Sequence, residues 1–177
     1  MFYGGRNSAP LPIGPEASLQ DFEFTAVGTA AGNGTVHFRF GAAPGEVILD
    51  DIRVTDLDTG AEVIPTRDFE GGRGDFERDW TFWPTGEGNT VAEMAVVPGA
   101  GRDDSAGLRV RLTAPPAGKP WPDFHIYHKA NLSLEKGRRY RMTFWVKADQ
   151  ERELMVAFYR PGSPFVFLGG PAECFTS

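Results

Sequence analysis

The sequence predicts an all-β fold, an antiparallel β-sandwich in which one sheet face is exposed to water. Apolar and polar residues alternate in short runs, and each run is bounded by Gly, Pro, Asn or Asp. The chain has 22 Gly and 14 Pro among 177 residues, a composition that favours many turns between short strands. No segment of ten residues has a convincing helical period, so a helix-rich fold is disfavoured.

The alternation locates the strands and their two faces. In 140–148, every second residue from Tyr140 to Ala148 falls on one face of the strand. The residues between them, including Trp145 and Lys147, fall on the other face. The same division in 35–40 and 124–128 indicates sheets with one buried and one wet face. The predicted strands are 21–27, 35–40, 46–56, 67–70, 90–97, 106–113, 124–134, 140–148, 154–160 and 165–168.

Charge, cysteine content and hydropathy exclude several classes of protein. The formal net charge of −6 argues against a nucleic-acid partner, because such binding depends on neutralising phosphates. Cys174 is the single cysteine, so no internal disulfide and no cysteine-based metal site is expected. No apolar run is long enough to span a membrane, and the first residues lack the apolar core of a signal peptide. If the protein is exported, its signal has been removed or lies outside this chain.

Composition divides the chain into an arm, a domain and a tail. Residues 1–18 are rich in Gly, Pro and Ala without a sustained period, and we expect a flexible arm there. Residues 19–170 contain the predicted strands and form a single sandwich, since two complete domains would be cramped at this length. Residues 171–177 are a short tail.

Three motifs resemble those of carbohydrate-binding modules of the family 4/9 type. Arg-Asp-Phe-Glu-Gly-Gly at 67–72, followed by Asp79-Trp80, is similar to their opening motif. The segment 132–148 resembles their central strands, and 36–54, with Asp50-Asp51, resembles their closing strands. The resemblance implies a jelly-roll β-sandwich that is an accessory domain of a glycoside hydrolase, and a Trp80 buried in its core.

The order of these motifs differs from that of the family, because the closing strands precede the opening motif. We therefore expect a circularly permuted or mutually completed sandwich, in which the closing strands of 19–58 complete the sheets of 63–170. The alternative is that the chain joins the end of one module to the start of the next. In that case 19–58 would be a separate fragment, with bare sheet edges and too little core to be stable. A monomer is expected, with a domain-swapped dimer as the alternative.

A calcium site is implied by the resemblance at the meeting of the opening and closing strands. The candidate ligands are carboxylates, and calcium accepts two or three of them together with backbone and water oxygens. The candidate metal ligands are Asp50, Asp51, Asp68 and Glu70. Alternatively, the two adjacent aspartates end a strand, and Glu70 forms an ion pair with Arg67 or Arg53.

A ligand-binding face is expected on the polar side of the strands. Sugar rings stack on Trp and Tyr, while Arg, His and Lys donate hydrogen bonds to sugar hydroxyls. The candidate ligand-binding residues are Trp145, Tyr127, Tyr159, His125, Arg39, Lys147, His37, Trp83 and Trp121. Alternatively, Trp145 and Tyr159 cover an outer sheet face against the arm, and Trp80 and Trp83 fill the core or a loop.

The histidines suggest no catalytic site. His125 and His128 are three residues apart on a predicted strand, so they point to opposite faces and cannot share one metal without a bulge. A catalytic triad would also need a positioned nucleophile, and Cys174 lies in the tail. Paired carboxylates of a glycosidase are harder to exclude, because the sequence fixes no distance between them.

The function predicted from these features is a noncatalytic, secreted carbohydrate-binding module, and its source is expected to be bacterial. It would hold an associated glycoside hydrolase on a plant-type polysaccharide, either β-glucan or xylan, with no membrane or nucleic-acid partner. One alternative is a structural accessory domain that packs on a hydrolase and binds no sugar. Another is a small stand-alone glycoside hydrolase or lyase.

Overall fold

The computed structural model describes residues 9–41, 43–64, 68–83, 91–114, 124–129, 131–162 and 165–171, with the backbone alone at 83, 91 and 114. These residues form twelve strands and one short α-helix. The strands are β1 (Pro10–Ile13), β2 (Ser18–Thr25), β3 (Ala30–Arg39), β4 (Gly45–Asp56), β5 (Trp80–Trp83), β6 (Val91–Val97), β7 (Gly107–Ala114), β8 (His125–His128), β9 (Leu132–Leu134), β10 (Arg139–Ala148), β11 (Arg152–Arg160) and β12 (Val166–Gly169). The helix is α1 (Arg73–Asp79).

The strands form two antiparallel sheets, which confirms the predicted all-β sandwich. A seven-stranded sheet has the order β1-β11-β3-β8-β5, with β12 also paired to β11 and β9 to β3. A five-stranded sheet has the order β2-β10-β4-β7-β6. The first sheet carries the histidine-rich strands β3 and β8, whereas the second carries the long strand β10.

The core lies between the sheets and is rich in phenylalanine. Phe38 of β3 meets Phe144 of β10 edge to face, with ring centroids 5.1 Å apart. Phe24 of β2 stacks on Phe158 of β11 at 4.6 Å. These contacts join the two sheets, and each fully buried ring contributes roughly 1.5–3 kcal/mol of hydrophobic stabilisation. The inward face predicted for β10 is confirmed, because Tyr140, Met142, Phe144, Val146 and Ala148 are all buried.

Strands from the two halves of the chain interleave in both sheets. In the five-stranded sheet β10 lies between β2 and β4, and in the seven-stranded sheet β3 lies between β11 and β8. Each half therefore satisfies backbone hydrogen bonds that the other would leave exposed. The described strands of 18–56 and 80–169 complete one another within a single chain.

Two predicted strands and the arm differ from the prediction. The predicted strand 124–134 is two strands, β8 and β9. The described part of the predicted strand 67–70 forms no strand, and a turn follows at 70–72 before α1. Gly72, the residue before α1, has a φ of 73°, a conformation that favours glycine. In the predicted arm, β1 pairs with β11 along the edge of the sheet.

The helix α1 was not expected because it has only seven residues. Local ion pairs support its two turns: Arg73 pairs with Glu77, and Arg78 pairs with Asp75. In the described part of the chain, no helix has the length and apolar character needed to cross a lipid bilayer.

Candidate ligand face and candidate cation site

The outer face of the seven-stranded sheet brings together five of the predicted ligand-binding residues. His37 and Arg39 belong to β3, His125 and Tyr127 to β8, and Tyr159 to β11. The β3–β8 register places His37 opposite Tyr127 and Arg39 opposite His125. All five side chains are half-buried, whereas the alternate residues of the same strands enter the core.

The rings on this face form a continuous row across four strands. His37 stacks on Tyr127 with centroids 4.9 Å apart and planes 12° apart. Tyr159 meets His37 edge to face at 5.0 Å, and His125 lies 5.1 Å from His37. Phe167 of β12 extends the row, because its ring is 5.9 Å from that of Tyr159. We call these five residues (His37, His125, Tyr127, Tyr159 and Phe167) the ring row.

A small residue lies beneath the ring row. Ala157 of β11 is directly opposite His37, and it is 0% exposed although its position alternates with the core residues Val156 and Phe158. Its methyl group therefore lies on the face that carries the rings and is shielded from water. A larger side chain at position 157 would push the rings of the row apart, so the small size of Ala157 leaves room for them.

The electrostatics of the row keep its central imidazole neutral. Burial lowers the pKa of His37 well below its usual range, and the nearby His125 and Arg39 lower it further. A neutral imidazole has one donor and one acceptor nitrogen, and a tyrosine hydroxyl can do both. The row can therefore donate hydrogen bonds to ligand hydroxyls and accept them.

Trp145 and Lys147 do not share this face, and the prediction that they do is wrong. Both belong to β10 of the other sheet, where Trp145 is opposite Leu19 of β2 and Asp50 of β4. The alternation placed them correctly on the outward face of their strand. It could not show that β10 and β8 lie in different sheets, because sheet membership depends on long-range pairing.

The other tryptophans divide between the core and the undescribed residues. Trp80 is 2% exposed and contacts Phe38 and His128, so its predicted core position is confirmed. The backbone of Trp83 pairs with His125 at the end of β5, but its side chain is outside the described residues. Trp121 also lies outside them.

The histidines of β8 point to opposite sides, as the sequence predicts. His125 is on the outer face, whereas His128 is 0% exposed in the core, where its ring meets Trp80 at 5.1 Å. The Nδ1 atom of His128 is 3.0 Å from the carbonyl oxygen of Lys129. Burial lowers the pKa of His128.

A second group of polar atoms surrounds Asp50, which is 2% exposed. Its Oδ2 atom accepts hydrogen bonds from the backbone N–H of Arg102 (2.9 Å) and from the hydroxyl of Ser105 (2.5 Å). Its Oδ1 atom is buried without a hydrogen-bond partner among the described residues. A buried carboxylate oxygen without a partner is costly, so this atom suits a cation.

Glu70 contacts the loop 101–106, which also contains the Asp50 partners Arg102 and Ser105. Its Oε1 atom accepts a hydrogen bond of 2.6 Å from the backbone N–H of Ala106. Gly101 is hemmed in by oxygens, because a Cβ there would lie 2.5 Å from Asp50 Oδ2 and 2.8 Å from the carbonyl oxygen of Ala106. Carboxylate, hydroxyl and carbonyl oxygens around one loop are the donors that calcium prefers.

The structure does not bring the four predicted metal ligands together in one cluster. Asp51, with a φ of 48°, turns away from Asp50 to pair with Arg53 and Arg102. Asp68 is exposed and lies 3.4 Å from the backbone N–H of Glu70. No cluster of three or more His, Cys, Asp or Glu side chains suited to a metal is found in the described ranges.

Sequence reasoning missed Ser105, Gly101, Ala157 and Phe167. The first two lie in a loop that no motif marked, and only the fold brings it to Asp50. Ala157 and Phe167 were visible as outward positions of predicted strands, but an alanine and a phenylalanine there carry no functional signal of their own.

Comparison with protein-family models, with curated proteins and with solved structures gave no match for this chain. The geometry of the ring row and of the Asp50 loop is therefore the basis for a functional proposal.

Proposed function

We propose that this domain is a noncatalytic carbohydrate-binding module. The observation that carries the proposal is the ring row. Its aromatic side chains lie on an outward sheet face, so they are not needed to pack the core. Half-buried rings with polar tips suit a ligand that has both apolar C–H faces and hydroxyl groups. A sugar chain has both.

The residues of the row would contact a sugar in different ways. His37 and Tyr127 stack on each other, so each ring covers one face of its neighbour. These two residues therefore bind a sugar mainly by hydrogen bonds from their edges. Tyr159 meets His37 edge to face and offers an aromatic face for C–H contact. Arg39 and His125 add polar contacts at the side of the row.

Calcium fits the second group of oxygens as a structural cation. Asp50 Oδ1 and the Glu70 carboxylate would hold it, with oxygens of the loop 101–106. Its charge would satisfy the buried carboxylate of Asp50 and fix the loop between β6 and β7. This role is structural, because Asp50 belongs to the sheet opposite the ring row.

The proposed setting is extracellular, with the module joined to a glycoside hydrolase and binding plant-type polysaccharide such as β-glucan or xylan. The first test is isothermal titration with soluble oligosaccharides of both polymers. We expect weak binding by the wild type, and its loss in Tyr127→Ala and His37→Ala. Trp145→Ala is the matched control, since it removes a half-buried aromatic from the other sheet.

Three results would contradict the proposal. Equal binding by Tyr127→Ala and the wild type would remove the ring row from the site. Absence of binding to every soluble oligosaccharide and insoluble polysaccharide would favour a structural accessory domain. Release of reducing sugar by the purified wild type would show a hydrolase instead.

A further inference from the structure

A bulge interrupts the pairing of β3 with β9. Ala30 is opposite Leu134 and Gly34 is opposite Leu132, so residues 31–33 face only Ser133. All three residues of the bulge, 31–33, are exposed, and Gly32 has a φ of 69°. A hydrogen bond of 2.9 Å from the Gly32 N–H to the Ser133 hydroxyl tethers the bulge. Bulged residues leave the regular ladder, which frees their side chains from cross-strand packing.

The fold requires glycine directly after this bulge. A Cβ on Gly34 would lie 2.9 Å from the carbonyl oxygen of Leu132 and 3.1 Å from the Cβ of Ala30. The first of these contacts is with backbone and cannot be relieved by a rotamer change. Any other residue at position 34 would force the strands apart, so the exposed Asn33 is followed by glycine for a structural reason.

We propose that Asn33 is a site of spontaneous deamidation in the folded protein. The backbone nitrogen of Gly34 loses its proton and attacks the side-chain carbonyl carbon Cγ of Asn33. A bond forms between this nitrogen and Cγ, the bond from Cγ to the side-chain nitrogen breaks, and that nitrogen takes up the proton and leaves as ammonia. Water then opens the resulting succinimide at either carbonyl and yields aspartate or isoaspartate. Glycine permits the reaction because it has no side chain to obstruct the attack and adopts the backbone angles that the ring requires. No other reactant is needed.

The chain contains its own control. Asn131 is also exposed, and it precedes β9, the strand opposite the bulge. The residue after it is Leu132, whose side chain is 0% exposed and anchored in the core. That side chain hinders attack by the nitrogen of residue 132. The two asparagines share exposure and neighbourhood, but they differ in the residue that follows and in the side-chain hydrogen bond that Asn131 forms with His128. Both differences make Asn131 the slower site.

The modification would place a new negative charge beside the ring row. Asn33 is two residues before Thr35, which is opposite Tyr159 in the β3–β11 pair. An isoaspartate would also lengthen the backbone at the bulge. The inference concerns Asn33 itself and does not depend on whether the ring row binds a sugar.

The test is peptide mapping by mass spectrometry after incubation of the full chain in mildly alkaline, heavy-oxygen water. We expect the Asn33 peptide to gain one labelled oxygen and to become a substrate for isoaspartate methyltransferase, severalfold faster than the Asn131 peptide. An Asn33→Gln variant should lose this signal and keep its thermal stability. A parallel sample unfolded in guanidinium reports the unrestrained rate. Folded-state conversion at Asn33 that is no faster than at Asn131, or nearly abolished relative to the unfolded chain, would overturn the inference.

Discussion

The imidazole of His37 and the phenol ring of Tyr127 lie face to face across the β3–β8 pair, 4.9 Å apart with planes 12° apart. Such aromatic cross-strand pairs contribute roughly 0.2–1 kcal/mol each to sheet stability. The stack also holds the polar edges of both rings in fixed positions. It therefore links the stability of the sheet to the proposed ligand site.

Acid should destabilise the fold through two histidines. The pKa values of His37 and His128 are lowered in the folded state, mainly by burial, whereas the unfolded chain titrates near the ordinary value of about 6.5. Above that value both states are neutral and stability is constant. As pH falls below it, the unfolded state takes up protons first, and stability declines by up to about 1.4 kcal/mol per pH unit for each histidine.

Guanidinium unfolding between pH 7.5 and 5 measures this effect. The His37→Gln variant should show a shallower decline than the wild type. Two carboxylates with lowered pKa values, Asp21 and Asp56, lose their stabilising charge only at more acidic pH, so they leave this window unaffected. A flat stability profile for the wild type would contradict the burial of neutral histidines.

Calcium should stabilise the wild type through Asp50. A ligand that binds only the folded state adds about 2.7 kcal/mol at a concentration 100 times its dissociation constant, and this appears as a rise in Tm. The Asp50→Asn variant should lose most of this rise, because the buried carboxylate would no longer supply a charged ligand. Differential scanning calorimetry with calcium and with chelator gives the comparison.

Asp51→Asn is the matched control for that experiment. It changes the neighbouring aspartate, whose contacts are ion pairs with the half-exposed side chains of Arg53 and Arg102. Its response to calcium should equal that of the wild type. If Asp50→Asn folds poorly, Glu70→Gln provides a second test from the other side of the loop. An equal Tm rise in all variants would refute a cation at this position.

A circular permutant should fold into the same sandwich. The N–H of Ala9 donates a hydrogen bond of 2.9 Å to the carbonyl oxygen of Pro171, so the ends of the described domain are adjacent. Gly60 lies at an exposed turn after β4 with a φ of 74°. Joining 171 to 9 with a short linker and opening the chain at Gly60 would put the opening motif before the closing strands.

Circular dichroism and cooperative thermal unfolding would show whether the permutant folds. We expect the β-sheet spectrum of the wild type and one transition, because exposed turn tips tolerate new termini. A permutant opened inside β10, which pairs with strands on both sides, is the negative control and should not fold. Failure of both permutants would show that chain order matters to this sandwich.

The sequence predicted local features well and long-range ones poorly. Alternation identified the inward face of β10 from Tyr140 to Ala148, because side-chain direction within a strand has a period of two. It also separated His125 from His128. It could not assign Trp145 to a sheet, since the pairing of β10 with β2 and β4 depends on residues far away in the chain.

The candidate cation site shows the same limit. Asp50 and Glu70 lie within motifs that the sequence shows, but Ser105 is 55 residues from its partner Asp50. The positive φ of Asp51 turns its carboxylate toward Arg102, and no pattern in the sequence predicts that conformation. The fold therefore decides which carboxylates lie at the candidate cation site.

The most direct test of the central proposal is an NMR titration with β-glucan and xylan oligosaccharides that follows individual side chains. The ring row as a glycan site predicts progressive shifts in the ring signals of His37, Tyr127 and Tyr159, together with an unchanged Trp145 indole signal from the opposite sheet. Shifts confined to Trp145 and its neighbours, or no shift at any ring with either glycan, would contradict it.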